Sequence, residues 1–269
     1  MTGVPGMRPA PGPDQPPIPV RLVTFNIHHG VGDDGRHDLA RLAQVLAAAD
    51  ADVICLQEVD RHFGERSENV DQGLLLARAL DMQLAWGPAF DEPRPGGPRA
   101  EYGNALLSRL PILISDVHRL PGSGEPRSAL RTMIELDGGA LWVTATHLSR
   151  KGADRAAQVA AVAELHTAPM ETGIVVGDFN TAPDAPELAA LRPRFTDAWE
   201  LASARDDRSG WRFWQHDEGN THPARSPHRR IDHAWVTEGV AVAAARVLDG
   251  AGASDHLPLL IDLEVRSGV

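Results

Sequence analysis

The chain is expected to fold as a layered α/β sandwich, two stacked mixed β-sheets with helices outside. Three observations lead there. The chain opens with a strand, a helix and a second strand; its middle holds four short strands with no helix between them; and 269 residues with 42% hydrophobic content are enough for one large core.

The elements follow in order. VRLVTFNI, from Val20, reads as a buried strand. In DLARLAQVLAA, Leu39, Leu42, Ala43 and Leu46 share one helical face, and DVICLQEV is the second strand. A helix over residues 71–80 precedes GNALLS, ILISDVH, LRTMIEL and LWVTATHL, which have nothing to cross over with and so should pair largely antiparallel. A helix over 153–166, the strand GIVVGDFN and a short helix after Pro183 come next. A long polar stretch, 206–230, leads to the last strands IDHAWV, VAAARVL and PLLIDLEV. Residues 91–100 and 206–230 are the expected long loops, and no internal repeat is visible.

Residues 1–18, rich in Pro and Gly, are expected to be a flexible leader to a single domain over 19–269. The 37 acidic and 26 basic residues give a net charge of -11, which argues against tight, sequence-independent binding of polyanions. The single cysteine, Cys55, lies in an apolar run and excludes an internal disulfide, which favours a reducing compartment. No apolar run approaches the roughly 20 residues of a membrane span. The expectation is a soluble, cytoplasmic protein with no integral membrane association.

Polar residues of catalytic type stand repeatedly at strand ends, where a sheet fixes direction and a loop gives access. They are Asn26, Glu58, His147, Asp178, Asn180, Asp232 and the pair Asp255 and His256. Each has a plainer reading. Asn26 is a turn former near Gly30, Glu58 a partner for Arg61, Asp178 with Asn180 an Asx turn, His147 a half-buried histidine, and Asp232 a bridge to Arg229 or Arg230. Their joint occurrence favours a site.

The motifs TFNIHHG, LQEVD, EYGNALLS, TATHLS, GDFNTAP, RRIDHAWV and SDHLPLL occur in the order of the endonuclease/exonuclease/phosphatase superfamily, which the chain resembles from about Arg21 to Leu263. The resemblance implies a four-layer α/β sandwich with its site at one edge. It also implies a divalent-cation site at Glu58 with Asn26 and Asp255, suited to Mg²⁺ or Mn²⁺. His28 and His29, taken as neighbours on a strand, point to opposite faces and make poor joint zinc ligands. By the same resemblance Asp232 holds His256, which serves either as base toward water or as a cation on the phosphate. Asp178 orients or deprotonates the water, while Asn180 and Asn26 bond phosphate oxygens.

His147, in THL, matches the deoxyribonuclease-like and sphingomyelinase-like members and disfavours repair of abasic sites. Arg155 and Gln158 are expected to support its loop. Asn104, ahead of Tyr102, should sit near the phosphate. Arg131, with Arg127, is a candidate contact for a substrate anion, and Arg229 with Arg230 forms a basic pair near the mouth.

The expected activity is hydrolysis of a phosphodiester or phosphomonoester by in-line attack of water, on a small molecule or lipid headgroup. The alternatives are a nuclease on DNA or RNA, a sphingomyelinase-type lipid phosphodiesterase and a non-enzymatic scaffold. Trp211, Phe213 and Trp214 offer a surface for a membrane or a base.

Overall fold

The structure, a computed structural model, describes residues 16–168, 171–209 and 218–266. Its strands are β1 (Ile18–Asn26), β2 (Val53–Arg61), β3 (Gln83–Glu92), β4 (Ala100–Ser108), β5 (Ile112–Leu120), β6 (Arg127–Leu136), β7 (Gly139–His147), β8 (Gly173–Asp178), β9 (Thr196–Asp197), β10 (Asp232–Val236), β11 (Val240–Val247) and β12 (Leu259–Val265). The α-helices are α1 (Leu39–Ala48), α2 (Gln72–Leu80), α3 (Gly152–Glu164) and α4 (Ala198–Ser209).

These strands form two six-stranded sheets, ordered β11-β12-β1-β2-β4-β3 and β5-β6-β7-β8-β10-β9. Each sheet has one parallel pair, β1 with β2 and β7 with β8, and is otherwise antiparallel. The parallel pairs are those joined through α1 and α3, as a crossover requires. Both sheets are therefore mixed, as expected.

The four layers follow from the two-residue period of the strands. Leu22, Val53, Cys55, Ile174, Val176 and Ala234 point into a core between the sheets. Their neighbours Val23, Ile54 and Leu56 face outward to meet Leu42, Leu46 and Leu76 of α1 and α2. On the other outer face Val175 and Trp235 meet Val159 and Val162 of α3. Strands buried on both sides need continuous apolar runs, which is why VICL and GIVV carry no alternation. Asp38 and Asp71 start α1 and α2 by accepting from the backbone N–H of Arg41 and Leu74, each at 2.9 Å.

Four details differ from the sequence reading. β3 and α4 were not expected: β3 carries Pro88 at a bulge that interrupts its strand signature, and α4 ends in a charged run. α4 also takes up the beginning of the expected 206–230 loop. β1 begins at Ile18, inside the expected leader, because Ile18 pairs with Val265. His28 and His29 leave the strand altogether, in a 3-10 turn with φ of 44° and 43°.

Candidate active site

Both parallel pairs run their C-terminal ends to the same edge of the sandwich, and that edge collects the polar residues. Asn26 ends β1 and Asp178 ends β8. The Asn26 amide donates to Asp178 Oδ2 at 3.1 Å and to Glu58 Oε1 at 3.2 Å, joining the two sheets through one side chain. Glu58 sits at a bulge where the β2–β4 register shifts between Leu56 and Val59, with φ at 57°. A left-handed backbone at a glutamate is strained, and the bulge turns its carboxylate into the site. Gly177 brings Asp178 in: a Cβ there would lie 1.9 Å from the Thr146 carbonyl, and its φ is 145°.

His256 donates from Nδ1 to Asp232 Oδ2 at 2.9 Å, and Thr221 Oγ1 donates to the same oxygen. Nε2 of His256 is left facing Asp178 Oδ2 at 3.8 Å. Burial opposes a charge on His256, but Asp232, Asp178 and Asp255 outweigh it and raise the pKa to about 10. Burial and the neighbouring Asp232 raise the pKa of Asp178. Ser254 ties this loop to β1 by donating to the Asn26 carbonyl at 2.7 Å.

His147 is buried, and Arg127 Nη1 donates to its Nδ1 at 3.0 Å. Its Nε2 lies 3.4 Å from Asp178 Oδ2 and 4.0 Å from Glu58 Oε1. Burial first, and then the Arg127 charge, hold its pKa well below the ordinary imidazole value. Asn180 lies 3.1 Å from the same nitrogen and donates to the Leu148 carbonyl, while its backbone N–H donates to Asp178 Oδ1 at 2.8 Å. The Asx turn and the cluster are thus one structure. Gln158 accepts from Ser149 N–H at 2.8 Å, and Arg155 donates to the Ser149 carbonyl, so both hold the loop after His147.

The model of the endonuclease/exonuclease/phosphatase family matches residues 23–256. The chain belongs to that family. The uncharacterized protein YbhP of Escherichia coli is 28% identical over 260 residues, covering 91% of this chain and 96% of its own. A family member from Beutenbergia cavernae superposes with a TM-score of 0.74 at 26% identity, over 92% of this chain and 72% of that one. A mannosyl-6-phosphatase of Bacteroides thetaiotaomicron superposes with a TM-score of 0.70 at 17% identity, over 91% and 99% of the two chains, a likeness of fold alone. The family comprises phosphoester hydrolases.

In this family member most of the sequence-predicted residues converge. Asn26, Glu58, His147, Asp178, Asn180, Asp232 and His256 form the hydrogen-bonded cluster, and Asp255 lines the adjoining cleft of about 340 Å³ with His28, His29, Glu58 and Tyr102. Asn104 lines a small pocket beside Tyr102, Arg127 and His147; its amide donates to Ser128 and its buried Oδ1 has no partner among the described residues.

Arg131 does not join them. It pairs with Glu171 at 3.0 Å and stacks 3.4 Å over Trp142, because it sits four residues down β6 from the site edge. Arg127, at the near end of that strand, takes the place expected of it. His28 and His29 are not turned apart by a strand: their rings meet edge to face at 4.5 Å and both line the cleft. Arg230 is committed to Asp197, and Asp232 bonds His256 rather than bridging the arginines. Trp211, Phe213 and Trp214 lie outside the described residues. The sequence reading did not assign Thr221, His222 or Ser254; only Ser254, next to Asp255 and His256, had a local signal.

The donor set fits a divalent cation. Arg61 is spent on Asp71 and Glu101, so no Arg or Lys pairs with Glu58 among the described residues. Its facing imidazoles, His29 and His147, both have lowered pKa values, His29 to about 4 through burial and the charges of Arg66 and His28. A half-buried carboxylate bonded only by the Asn26 amide among the described residues offers the hard oxygen donors that suit a divalent cation. Two groups that do not include Glu58 bring ligand atoms within 4.8 Å of one another, His222 with Asp255 and His256, and Asp178 with Asp232 and His256. In the second, Asp232 is engaged by His256 and Thr221, which suits a dyad better than a metal. Among the described residues no helix is long and apolar enough to cross a membrane.

Proposed function

We propose that the chain is a Mg²⁺- or Mn²⁺-dependent hydrolase of small phosphoesters, working by in-line attack of water. The observation that carries this reading is Asn26, which bonds Glu58 and Asp178 at once and so sets a cation ligand beside a candidate base. The cation, held by Glu58 with Asn26 and Asp255, would neutralise the phosphoryl oxygens and lower the barrier to an incoming oxygen.

Asp178 takes the proton of the attacking water, a role its raised pKa suits at neutral pH. The water oxygen bonds to phosphorus as the bond to the leaving oxygen breaks. His256 stays an imidazolium because of Asp232, and so acts as a fixed cation on a phosphoryl oxygen rather than as the base. His147, whose Nε2 lies 3.4 Å from Asp178 Oδ2, stands beside the attacking water, and Asn180 positions it by its contact at 3.1 Å. A net charge of -11 and a cleft of about 340 Å³ favour a small substrate over a nucleic-acid duplex.

A panel of phosphomonoesters, phosphodiesters, lipid headgroups and plasmid DNA, each with and without Mn²⁺, tests the reading. Cation-dependent turnover of small phosphoesters is expected. Efficient cleavage of plasmid that collapses as salt rises, with the small esters untouched, would instead identify a nuclease.

A further inference from the structure

The cleft continues beyond the carboxylates into a wall of Phe63, Phe90 and Tyr102, with Arg66 beside them. The chemistry above uses neither phenylalanine. Phe63, on the loop after β2, meets Phe90 edge to face at 5.7 Å and Tyr102 at 6.0 Å. Arg66 lies 4.0 Å over the Phe63 ring. It cannot swing freely, because its Nε and Nη2 are bonded to Asp60 at 2.8 and 2.7 Å, and Asp60 is fully buried. Phe63 and Phe90 are only half-buried, whereas Tyr102 behind them is buried.

Across the cleft, Arg127 pairs with Glu125 at 3.1 Å, while Arg150 supplies positive charge with no carboxylate within ion-pair distance among the described residues. The volume is near the low end of the roughly 300–1,000 Å³ typical of small-molecule pockets. It has room for a phosphate and one ring system. We propose that Phe63 and Phe90 form a ring-binding subsite that selects small phosphoesters whose non-phosphate part carries one planar ring system. Stacking supplies the selectivity, since a flat π-face covers fixed aromatic surface that an aliphatic chain covers poorly.

This inference rests on the phosphoesterase reading, and one experiment separates the two. Adenosine 5′-monophosphate and ribose 5-phosphate share a phosphate and a sugar and differ by the ring, so their inhibition constants against an activated phosphoester report the subsite. The nucleotide is expected to inhibit about tenfold more tightly, and Phe63→Ala to bring the ratio close to unity. Phe63→Leu, which keeps apolar bulk without a π-face, should do the same if the alanine variant fails to fold. Equal inhibition in the wild type, with turnover intact, overturns the subsite alone; so does a tenfold ratio that survives in the folded variants. Absence of any phosphoester turnover overturns the underlying reading and this inference with it.

Discussion

Arg127 donates from Nη1 to Nδ1 of His147 at 3.0 Å, and both side chains are buried. A guanidinium against a buried imidazole is an arrangement that keeps the imidazole neutral.

Replacing Arg127 by Met should therefore do more than weaken phosphate binding. With the cation gone, the pKa of His147 rises toward its ordinary value, and the acidic limb of the pH–rate profile moves to higher pH. Turnover should fall at least about tenfold, a modest share of what one positioned charge contributes. An acidic limb that stays put would remove His147 from the titration.

His256→Ala should lower turnover on an activated aryl phosphodiester at least about 100-fold with folding intact. The same pair has a signature in stability. The folded pKa of His256, about 10, lies above its ordinary 6.5, so its contribution is complete below about pH 6.5 and vanishes as pH rises through 10. The difference in melting temperature between wild type and His256→Gln should accordingly shrink from pH 6.5 to pH 10. A constant difference would mean that Asp232 does not hold an imidazolium.

Chelation is expected to abolish activity, and Mg²⁺ or Mn²⁺ to restore it. Glu58→Gln, which keeps the shape and removes the charge, should weaken Mn²⁺ binding by calorimetry at least about tenfold. Full activity in excess chelator, or unaltered Mn²⁺ affinity in the variant, would exclude Glu58 as the ligand.

Gly177→Ala should be among the more damaging single substitutions. Its Cβ would meet the Thr146 carbonyl at 1.9 Å, and its φ of 145° disfavours any side chain. A loss of roughly 3 kcal/mol or more is expected in denaturant unfolding. A loss under about 1 kcal/mol would show that β7 and β8 can separate to admit the methyl group.

Much of the site was legible because its residues stand at strand ends, and strand ends are marked by apolar runs giving way to polar residues. TFN, LQE, TATH and VVGDFN announce themselves this way. Arg131 and Arg127 alternate with apolar residues in one strand, and nothing local says which lies at the site edge; the β6–β7 register decides it. Thr221 lies in a loop without periodicity, and its bond to Asp232 spans two segments that approach only in the folded chain.

What the amino-acid order alone determined was the layering: apolar strand runs, helices between the strands of the parallel pairs, an all-strand middle and the polar residues closing each strand. What only the tertiary structure decided was which groups neutralise one another. Arg61 turned to Asp71 and Glu101, leaving Glu58 with no Arg or Lys partner among the described residues, while Asp232 turned to His256. Burial and charge pairing depend on distances through space, and Asn26 and Asp232 stand 206 positions apart in the chain before the sheets bring them to one edge.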